Sequence, residues 1–436
     1  MTSKRSNIVK QYKVAILGLG NVGGGVYNIL THDRKNIIHR DNVDVGVKYI
    51  LVRDKTKKRD VDFPKEILVD DFDTILNDDE IDIVAEFMGG VDPAKDYILR
   101  SLAKGKTVVT ANKEVIAKYW PDLNKVAKEN NAGLFFEASV AGGIPVLKTL
   151  WDSMQANSIE SIYGIINGTT NYILSRMTDE GKSYDEVLKD AQSLGFAEAD
   201  PTSDVEGYDA MYKLSILSSM AFHAKVPVDY IYNEGITNIS AEDIDYTKEL
   251  GYVIKLLAIG KKHEKTIEVR VHPTMIKKNH PLASVSGAFN AIFLKGSAVG
   301  GLMLYGQGAG RMPTASAAVS DIISACDNRN FKYTTFENTY KLPKDVTFQN
   351  NWECGYYIRV LTTDKPGVLA NVAGIFGQYG VSIASVMQTG DRGGVVPIRI
   401  ITHLAKEISV KKAIEDLKYY EGVLEIGSLI RVEDEI

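Results

Sequence analysis

The stretch KVAILGLGNVGGGVYNIL, residues 13–30, sets the architecture of the first third of the chain. Its first five residues form a short apolar run, which predicts a buried strand. Glycines follow at positions 18, 20 and 23, and residues 22–30 then have the pattern of a helix. The spacing predicts a strand–turn–helix unit, in which Gly18 permits a tight turn, Gly20 leaves the backbone open, and Gly23 lets the helix pack closely.

A turn of this kind can bind the pyrophosphate of a nicotinamide dinucleotide. The helix begins with free backbone N–H groups and a partial positive charge, and both favour an anion. The alternative is an ordinary strand-to-helix connection that binds nothing, since the glycine pattern alone is a weak signal. We predict that a dinucleotide contacts all six residues of the turn, which are Gly18, Leu19, Gly20, Asn21, Val22 and Gly23.

Strands and helices alternate over the rest of this region. Apolar runs rich in β-branched residues occur at 43–52, 81–87, 106–110 and 134–137, with helical patterns at 93–104 and 120–130. The alternation predicts an α/β fold with a Rossmann-type doubly wound parallel sheet. We assign residues 11–140 to this dinucleotide-binding domain and expect a helix over 313–326 to complete it.

The pattern changes after about residue 140. Helical periodicity at 211–221 and 244–258, with short strands at 161–166 and 266–272, predicts an α+β domain for substrate binding and oligomerisation over 141–312. Residues 327–352 are polar and irregular and are expected to form a linker. From 353 to 436 the order β-α-β-β-α-β predicts a ferredoxin-like domain.

Composition narrows the class of protein. The 436 residues have a net charge of −5, which argues against a nucleic-acid partner. Two cysteines cannot build a disulfide framework, and the polar, basic first residues do not resemble a signal peptide. No stretch reaches 18 apolar residues, so no membrane span is expected. These features together predict a cytoplasmic protein.

The residues after the second strand bear on the choice between NADPH and NADH. A basic residue there accommodates a 2′-phosphate, whereas an acidic residue binds a ribose hydroxyl. Arg53 suits the first role and Asp54 the second, so the sequence favours NADPH and leaves NADH as an alternative. The lysines at 55, 57 and 58 are expected mainly to be solvated loop residues.

The sequence Thr110-Ala111-Asn112-Lys113 follows the fourth strand directly. The carboxyl ends of parallel strands line the crevice where ligands bind, so we expect Thr110 and Lys113 to contact the cofactor. The alternative for Lys113 is an ordinary lysine at the start of a helix.

The segment GFAEADPTSDVEGYDAMYK, residues 195–213, concentrates carboxylates before a helix. Asp209 and Lys213 lie four residues apart, on one face of that helix. An exposed pair of this kind is a surface ion pair of little consequence. Because the helix continues into the apolar run 214–221, we expect the pair to line a cleft. There, carboxylates can hold a substrate ammonium group, and the lysine can protonate an alkoxide as a hydride arrives.

The segment EASVAGGIP, residues 137–145, is a weaker signal. A turning backbone beside one carboxylate offers oxygen ligands to a monovalent cation, but a glycine-rich hinge between domains has the same composition.

Taken together, these segments resemble the homoserine dehydrogenase family. The resemblance covers nearly all of residues 12–325. The final domain, with DKPGVL at 364–369, looks like an ACT regulatory domain, as in the longer monofunctional members. No aspartate-kinase region precedes the first residue, so the bifunctional form is not expected. The matching segments are the glycine turn, TANK at 110–113, EASVAGGIP at 137–145, NGTTNYIL at 167–174, the 195–213 block, and GQGAGRMPTASAAVSDI at 306–322.

The resemblance implies a reversible, NAD(P)H-dependent reduction of L-aspartate 4-semialdehyde to L-homoserine, which serves threonine, methionine and isoleucine synthesis. It implies that Lys213 is the proton donor and Lys113 a second essential lysine near the nicotinamide. It also implies that Glu198 and Asp209 bind the substrate, with Asp204 supporting them.

The resemblance further implies cofactor contacts at Gly195 and Gly310, and an amino-acid effector at the ACT domain of a homodimer or homotetramer. One departure from the family pattern is the pair Arg311-Met312, where a more acidic or apolar pair is expected. The resemblance also implies a sodium site formed by Glu137 and by the backbone carbonyls of Val140, Gly142 and Ile144.

Two other functions compete with this interpretation. Aspartate-semialdehyde dehydrogenase chemistry requires a cysteine nucleophile, and neither Cys326, at the end of a helix, nor Cys354, at the edge of the linker, is expected beside the nicotinamide. A non-enzymatic sensor that joins a dinucleotide to an amino acid would need neither Lys113 nor Lys213.

Overall fold

The computed structural model describes residues 9–326, 346–390 and 394–434. These residues form two compact units, each of which is assembled from separate stretches of chain. The described part of the first unit consists of residues 9–159, 212–228 and 296–326. The described part of the second consists of residues 160–211, 229–295, 346–390 and 394–434.

The elements are as follows in chain order. Up to residue 148 they are β1 Lys10–Leu17, α1 Asn21–His32, α2 Arg34–Asp41, β2 Val43–Leu51, β3 Leu68–Val69, α3 Phe72–Leu76, β4 Ile83–Glu86, α4 Ala94–Ala103, β5 Thr107–Thr110, α5 Lys113–Glu129, β6 Leu134–Phe135 and α6 Val146–Lys148. The central elements are β7 Ile159–Ile165, α7 Gly168–Glu180, α8 Tyr184–Ser193, α9 Thr202–Val205, α10 Tyr208–Phe222, β8 Tyr232–Asn233, α11 Ala241–Glu249, β9 Tyr252–His263, β10 Thr266–Lys277, β11 Phe289–Gly296, β12 Gly300–Gln307 and α12 Arg311–Cys326. The last are β13 Thr347–Phe348, β14 Glu353–Thr363, α13 Val368–Gln378, β15 Ile383–Gln388, β16 Val395–Thr402, β17 Ala405–Lys406, α14 Glu407–Leu417 and β18 Val423–Glu433.

The first unit is built around a six-stranded parallel sheet in the order β3-β2-β1-β4-β5-β6. This is the Rossmann strand order. Successive strands are added on one side of β1 up to β3 and on its other side from β4 onwards, so the order of the strands reverses between β1 and β4. Val14, Ile16 and Leu17 of β1 are fully buried, because helices cover both faces of a parallel sheet. The predicted Rossmann fold is therefore confirmed, and the carboxyl ends of β1 and β4 meet where the order reverses.

The second unit contains a larger mixed sheet, in which β11, β7, β9, β10, β18, β14, β16 and β15 follow one another. The predicted helix over 244–258 is wrong in its second half. Helix α11 ends at Glu249, Gly251 adopts a left-handed φ of +82°, and β9 begins at Tyr252. Most of β9 is buried on both faces, so its sequence has no alternation of apolar and polar residues to distinguish it from a buried helix.

The ferredoxin-like segment after residue 353 has all the predicted elements. Its strands lie in the order β18-β14-β16-β15, with α13 and α14 connecting them. The segment also continues the sheet of the second unit, because β18 pairs in parallel with β10 through Thr274 and Arg431. Inside the predicted linker, β13 pairs with β10, while residues 327–345 lie outside the described residues.

Buried charges join this segment to the rest of the second unit. Asp243 on α11 is fully buried and accepts hydrogen bonds from Arg359 Nε at 2.7 Å and from Ser428 Oγ at 2.9 Å. Arg431, also fully buried, donates to Glu407 Oε1 at 2.6 Å and pairs with Glu234. The segment is thus an integral part of the unit and not a tethered module.

Candidate active site

The turn at 18–23 has the geometry of an anion site. Gly18 adopts φ +93°, and a side chain there would clash with the carbonyl of Phe87. A Cβ on Gly23 would lie 2.0 Å from the carbonyl oxygen of Gly18, so α1 packs directly on the turn. By contrast, nothing lies within 4 Å of a Cβ built on Gly20. The open space is therefore at Gly20, the N-cap residue of α1.

The first turn of α1 leaves backbone N–H groups available to a ligand. Gly20 provides no side chain to cap the helix, and the turn contains no acidic residue. The first N–H groups of a helix need a partner, and the helix dipole favours an anionic one. These features fit the pyrophosphate of a dinucleotide.

After β2, Arg53 is exposed and makes no ion pair within the described part of the chain. The carboxylate of Asp54 accepts from Thr56 N at 2.7 Å and from Thr56 Oγ1 at 2.6 Å, and these bonds lower the pKa of Asp54. Lys55 forms an ion pair with Asp70, while the other two lysines of the loop are exposed. The carboxylate of Asp54 is thus engaged in hydrogen bonds within the loop, whereas the side chain of Arg53 is accessible to a ligand.

The carboxyl ends of β4 and β5 hold a buried carboxyl group. Glu86 is fully buried and accepts from Thr110 Oγ1 at 2.6 Å and from Met88 N at 2.7 Å. Burial raises its pKa. Lys113 is the half-buried first residue of α5, and Asn112 caps that helix through Val115 N. Thr110 therefore supports a buried network, which the sequence analysis did not anticipate.

The candidate cation segment at 137–144 contains two left-handed residues, Ala141 at φ +55° and Gly142 at φ +51°. The two carboxylate oxygens of Glu137 accept backbone N–H groups of Leu147 and Lys148, at 2.9 and 2.7 Å. Burial raises the pKa of Glu137 to about 7. Both carboxylate oxygens of Glu137 are therefore held by the backbone at the start of α6.

This segment packs on the glycine-rich turn before α12. A Cβ on Gly142 would lie 2.5 Å from the carbonyl oxygen of Gly308, and Gly143 N donates to Gln307 O at 3.1 Å. Gly310, with φ +116°, starts α12 by accepting from Thr314 N. The structure therefore brings the predicted cation segment and the predicted cofactor residue Gly310 into the same part of the first unit.

In the second unit, three side chains converge around Asn167. Its Nδ2 donates to Asp204 Oδ1 at 2.7 Å and to Asp209 Oδ2 at 2.9 Å. Thr169 Oγ1 donates to the other oxygen of Asp204 at 3.0 Å. Asn167 and Asp209 are buried, and Asp204 is half-buried. The structure thus joins two of the three carboxylates that the sequence indicated for the substrate.

The remaining residues of the 195–213 block are placed differently. Glu198 is exposed, and Gly195 is an exposed residue with φ +77° that follows α8. Helix α10 carries Asp209 and Lys213 one turn apart, with 4 % and 8 % of their surfaces exposed. The pair is therefore not a surface ion pair, because both residues are buried.

Sequence reasoning missed Asn167 and Glu86 as members of these clusters. A signal existed for each: Asn167 precedes a helix in the way that N-cap residues do, and Glu86 is an acidic residue inside the apolar run at 81–87. Neither signal shows which groups the side chain would meet.

No helix in the described residues is long and apolar enough to cross a membrane. The first unit has a Rossmann sheet with an open helix N-terminus, and helix α10 carries a buried lysine one turn from a buried carboxylate. These features together are those of a nicotinamide-dependent oxidoreductase. The segment after residue 353 adds a ferredoxin-like fold.

Comparison with known proteins shows to which family of oxidoreductases the chain belongs. The profiles that match are those of the homoserine dehydrogenase NAD binding domain over residues 18–137, homoserine dehydrogenase over 145–323, and the ACT domain over 356–422. A homoserine dehydrogenase of Synechocystis sp. is 43 % identical over 96 % of this chain and 99 % of its own length. One of Bacillus subtilis is 40 % identical over 98 % of this chain and 99 % of its own length.

The crystal structure of a homoserine dehydrogenase from Thiobacillus denitrificans is similar with a TM-score of 0.89, at 39 % identity, and covers 98 % of this chain and 99 % of that one. The chain belongs to the homoserine dehydrogenase family. It is an NAD(P)-dependent oxidoreductase that interconverts L-aspartate 4-semialdehyde and L-homoserine, a step in threonine, methionine and isoleucine biosynthesis.

Proposed function

We propose that Lys213 is the proton donor of this reaction and that NADPH is the preferred cofactor. The observation that carries the proposal is the burial of Lys213 on α10, one turn after the buried carboxylate of Asp209. A buried lysine beside a substrate-binding carboxylate is well suited to proton transfer. Burial holds the side chain of the lysine in place and excludes water from it.

The substrate carries an ammonium group and an aldehyde, and each needs a different partner. Glu198, on the exposed loop, and Asp209 would bind the ammonium group through charge-assisted hydrogen bonds, with Asp204 supporting them. Lys213 would donate a proton to the aldehyde oxygen as C4 is reduced to the alcohol. In the reverse direction, the neutral lysine would accept that proton from homoserine.

The six residues of the glycine turn would hold the pyrophosphate, with Thr110, Lys113, Gly195 and Gly310 as further cofactor contacts. When bound, the dihydronicotinamide supplies the hydride. Lys113, at the N-terminus of α5, would be the second essential lysine, close to the nicotinamide.

Preference for NADPH is supported by the accessibility of Arg53 and by the internal hydrogen bonds of Asp54. A hyperthermophilic archaeal homoserine dehydrogenase in complex with NADPH is similar to this chain with a TM-score of 0.61, at 27 % identity, over 73 % of this chain and 99 % of that one. NADH would serve as the weaker alternative.

We further propose a monovalent cation, sodium, at a site formed by Glu137 and by the carbonyl oxygens of Val140, Gly142 and Ile144. Left-handed backbone at Ala141 and Gly142 supports this, since it redirects successive carbonyl groups. Replacing sodium chloride with choline chloride at constant ionic strength should lower activity. Equal activity in both salts would contradict the site.

The ACT domain would bind an amino-acid effector, and the protein would form a homodimer or homotetramer. Exposed apolar residues on the outermost strand β15, Val386 and Met387, support self-association. The chain has only two cysteines, both of them buried, and this low cysteine content supports a cytoplasmic location. Calorimetric titration of the full-length chain with threonine and other amino acids, and its mass by light scattering, test these two proposals.

The decisive experiment measures homoserine oxidation and semialdehyde reduction by the purified chain with each dinucleotide. We expect activity with both and a lower KM for NADPH than for NADH. A lower KM for NADH would contradict the cofactor preference, and absence of turnover would contradict the reaction.

A further inference from the structure

We infer that Asn167 is a positioning residue, which fixes the carboxylate of Asp209 that binds the substrate ammonium group and the carboxylate of Asp204 that supports it. The inference rests on the proposed function of Asp204 and Asp209. Only 5 % of Asn167 is exposed, and its single amide group contacts both carboxylates. These carboxylates belong to different helices, α9 and α10, and Asn167 contacts them from a third segment of the chain, at the start of α7.

The orientation of the Asn167 amide is determined by its other contacts. Its Oδ1 accepts from Thr170 N at 2.8 Å and from Thr170 Oγ1 at 2.9 Å, and only an acceptor can face a backbone N–H. The NH₂ group must therefore face the carboxylates. Both of its hydrogens are used, one for each carboxylate.

The amide also offsets a repulsion. Two carboxylates held close together destabilise each other when both are charged. A shared NH₂ group stabilises both charged forms through one donor each, and so it keeps two negative charges available for one ammonium group.

The two halves of the Asn167 amide have separable roles. Its oxygen caps α7, and its nitrogen holds the carboxylates. Asn167→Ser retains an oxygen that can cap the helix but removes the NH₂ group. Asn167→Asp also retains a capping oxygen, but it places a third carboxylate against the other two.

We expect Asn167→Ser to raise the KM for homoserine about 10- to 100-fold, because hydrogen bonds to charged groups contribute about 1.5–3 kcal/mol. The Kd for the dinucleotide, measured by fluorescence, should be unchanged, and kcat should change less than KM. Asn167→Asp should raise KM further.

The matched control is Asp71→Ser, which alters the cap of α3 in the first unit and should leave the KM for homoserine unchanged. A wild-type KM in a folded Asn167→Ser variant would overturn the inference. The two variants Asn167→Ser and Asp71→Ser could also lose the same thermal stability with no change in KM. That result would show that Asn167 acts only as a helix cap. Absence of turnover in the wild-type chain would refute the proposed function instead.

A separate observation concerns Arg311, where this chain departs from the family pattern. The geometry points to Arg311 as a ligand for a phosphate of the dinucleotide, again given the proposed cofactor site. Its guanidinium lies over α1, where a Cβ on Gly24 would be 3.0 Å from Nη2. Residue 24 is one helical turn after Gly20 and on the same face, so the charge lies beside the end of α1 that favours anions.

The Arg311 side chain is held in place but not fully satisfied. Its Nη2 donates to the carbonyl of Asp60 at 3.1 Å. Its Nε is buried and has no hydrogen-bond partner among the described residues. Buried N–H groups nearly always have a partner, and a phosphate accepts two hydrogen bonds from one guanidinium.

Two substitutions distinguish phosphate binding from support of the loop. Arg311→Gln can still donate to Asp60 but has no charge, whereas Arg311→Lys keeps the charge. We expect the Kd for NADPH to rise about 10-fold or more in Arg311→Gln, with partial recovery in Arg311→Lys. The salt dependence of Kd should also become weaker in Arg311→Gln. The control is Arg34→Gln, an exposed arginine paired with Asp44.

Titration with both dinucleotides identifies the phosphate. An equal loss for NADPH and NADH assigns Arg311 to the pyrophosphate, and a loss for NADPH alone assigns it to the 2′-phosphate. Wild-type Kd values for both dinucleotides in Arg311→Gln would overturn the inference. Failure of the wild-type chain to bind either dinucleotide would refute the cofactor site itself.

Discussion

The turn at 18–23 and the cluster around Asn167 are built for ligand groups of opposite charge, and they are built from different parts of the chain. At the turn, backbone N–H groups at the start of α1 would face the ligand, and glycine is the residue type on which the site depends. At the cluster, side chains from α7, α9 and α10 converge, and one amide joins two carboxylates. The first site is formed by six consecutive residues, whereas the second requires the ends of three helices to meet.

This difference determines how each site fails. A site made of backbone fails when a side chain is added, because the added atoms occupy the space of the ligand or of the helix. A site made of converging side chains fails when one of them is removed, because its partners then lose their hydrogen bonds. The following experiments test the contrast, beginning with the largest expected effect.

Lys213→Ala should lower kcat about 10³-fold, since general acid catalysis contributes about 10²- to 10⁴-fold. The Kd for the dinucleotide should remain that of the wild type, because the turn at 18–23 is unchanged. Steady-state kinetics and fluorescence titration measure the two quantities. Lys189→Ala, on the exposed face of α8, is the control. Retention of full kcat would refute the proposed role of Lys213.

The unit that contains the cluster should also be sensitive to pH. Lys255 is buried on β9, where Nζ donates to Val285 O at 2.6 Å and to Asn171 Oδ1 at 3.1 Å, and burial lowers its pKa to about 8. Between this pKa and the ordinary value of 10.5, the unfolded chain binds more protons than the folded chain. The stability contributed by Lys255 therefore rises with pH across this window.

The Lys255→Met variant should lack this rise of stability with pH, because methionine has no group that titrates. The difference in unfolding free energy between wild type and variant should grow by on the order of 3 kcal/mol from pH 7.5 to 10.5. Denaturant unfolding at several pH values measures it, with Lys277→Met at the exposed end of β10 as the control. A constant difference across this range would contradict a lowered pKa.

Adding one methyl group to the turn should have two different results. Gly20→Ala should fold normally, because the added Cβ has open space, yet raise the Kd for the dinucleotide about 10- to 100-fold by displacing the pyrophosphate. Gly23→Ala should instead lower stability by about 1–3 kcal/mol, because its Cβ would meet the Gly18 carbonyl. Identical behaviour of the two variants would contradict the open site at Gly20.

The smallest effect is expected at Arg53. Arg53→Ala should raise the KM for NADPH about 5-fold, since an exposed charge pair contributes up to about 1 kcal/mol. The KM for NADH should not change, because NADH has no 2′-phosphate. Lys58→Ala, an exposed neighbour in the same loop, is the control. Equal changes for both dinucleotides would place Arg53 elsewhere on the cofactor.

Regulation has to be tested on the full chain. Removing the ACT domain would strip β18 from β10. It would take Arg359 from the buried Asp243 and Glu433 from the buried Arg270, which would keep only Glu268 as its carboxylate partner among the described residues. Loss of one partner of a buried ion pair costs about 3–5 kcal/mol. A truncated chain would therefore be destabilised, and a change in its response to an amino acid would not show where the effector binds.

The sequence by itself determined what depends on neighbours along the chain. The Rossmann sheet, the turn at 18–23, the ferredoxin-like order after 353 and the placement of Asp209 and Lys213 one helical turn apart all follow from short-range spacing. The predictions that failed or were missed depend on burial: β9 was taken for helix because both of its faces are buried.

Only the tertiary structure decided which separate segments meet. It placed Asn167 against Asp204 and Asp209, Glu86 against Thr110, and Arg311 over Gly24. It also continued the sheet of the second unit through β18. Such contacts join residues tens to hundreds of positions apart, and they arise because the packed core holds these segments together, a property that no local pattern records.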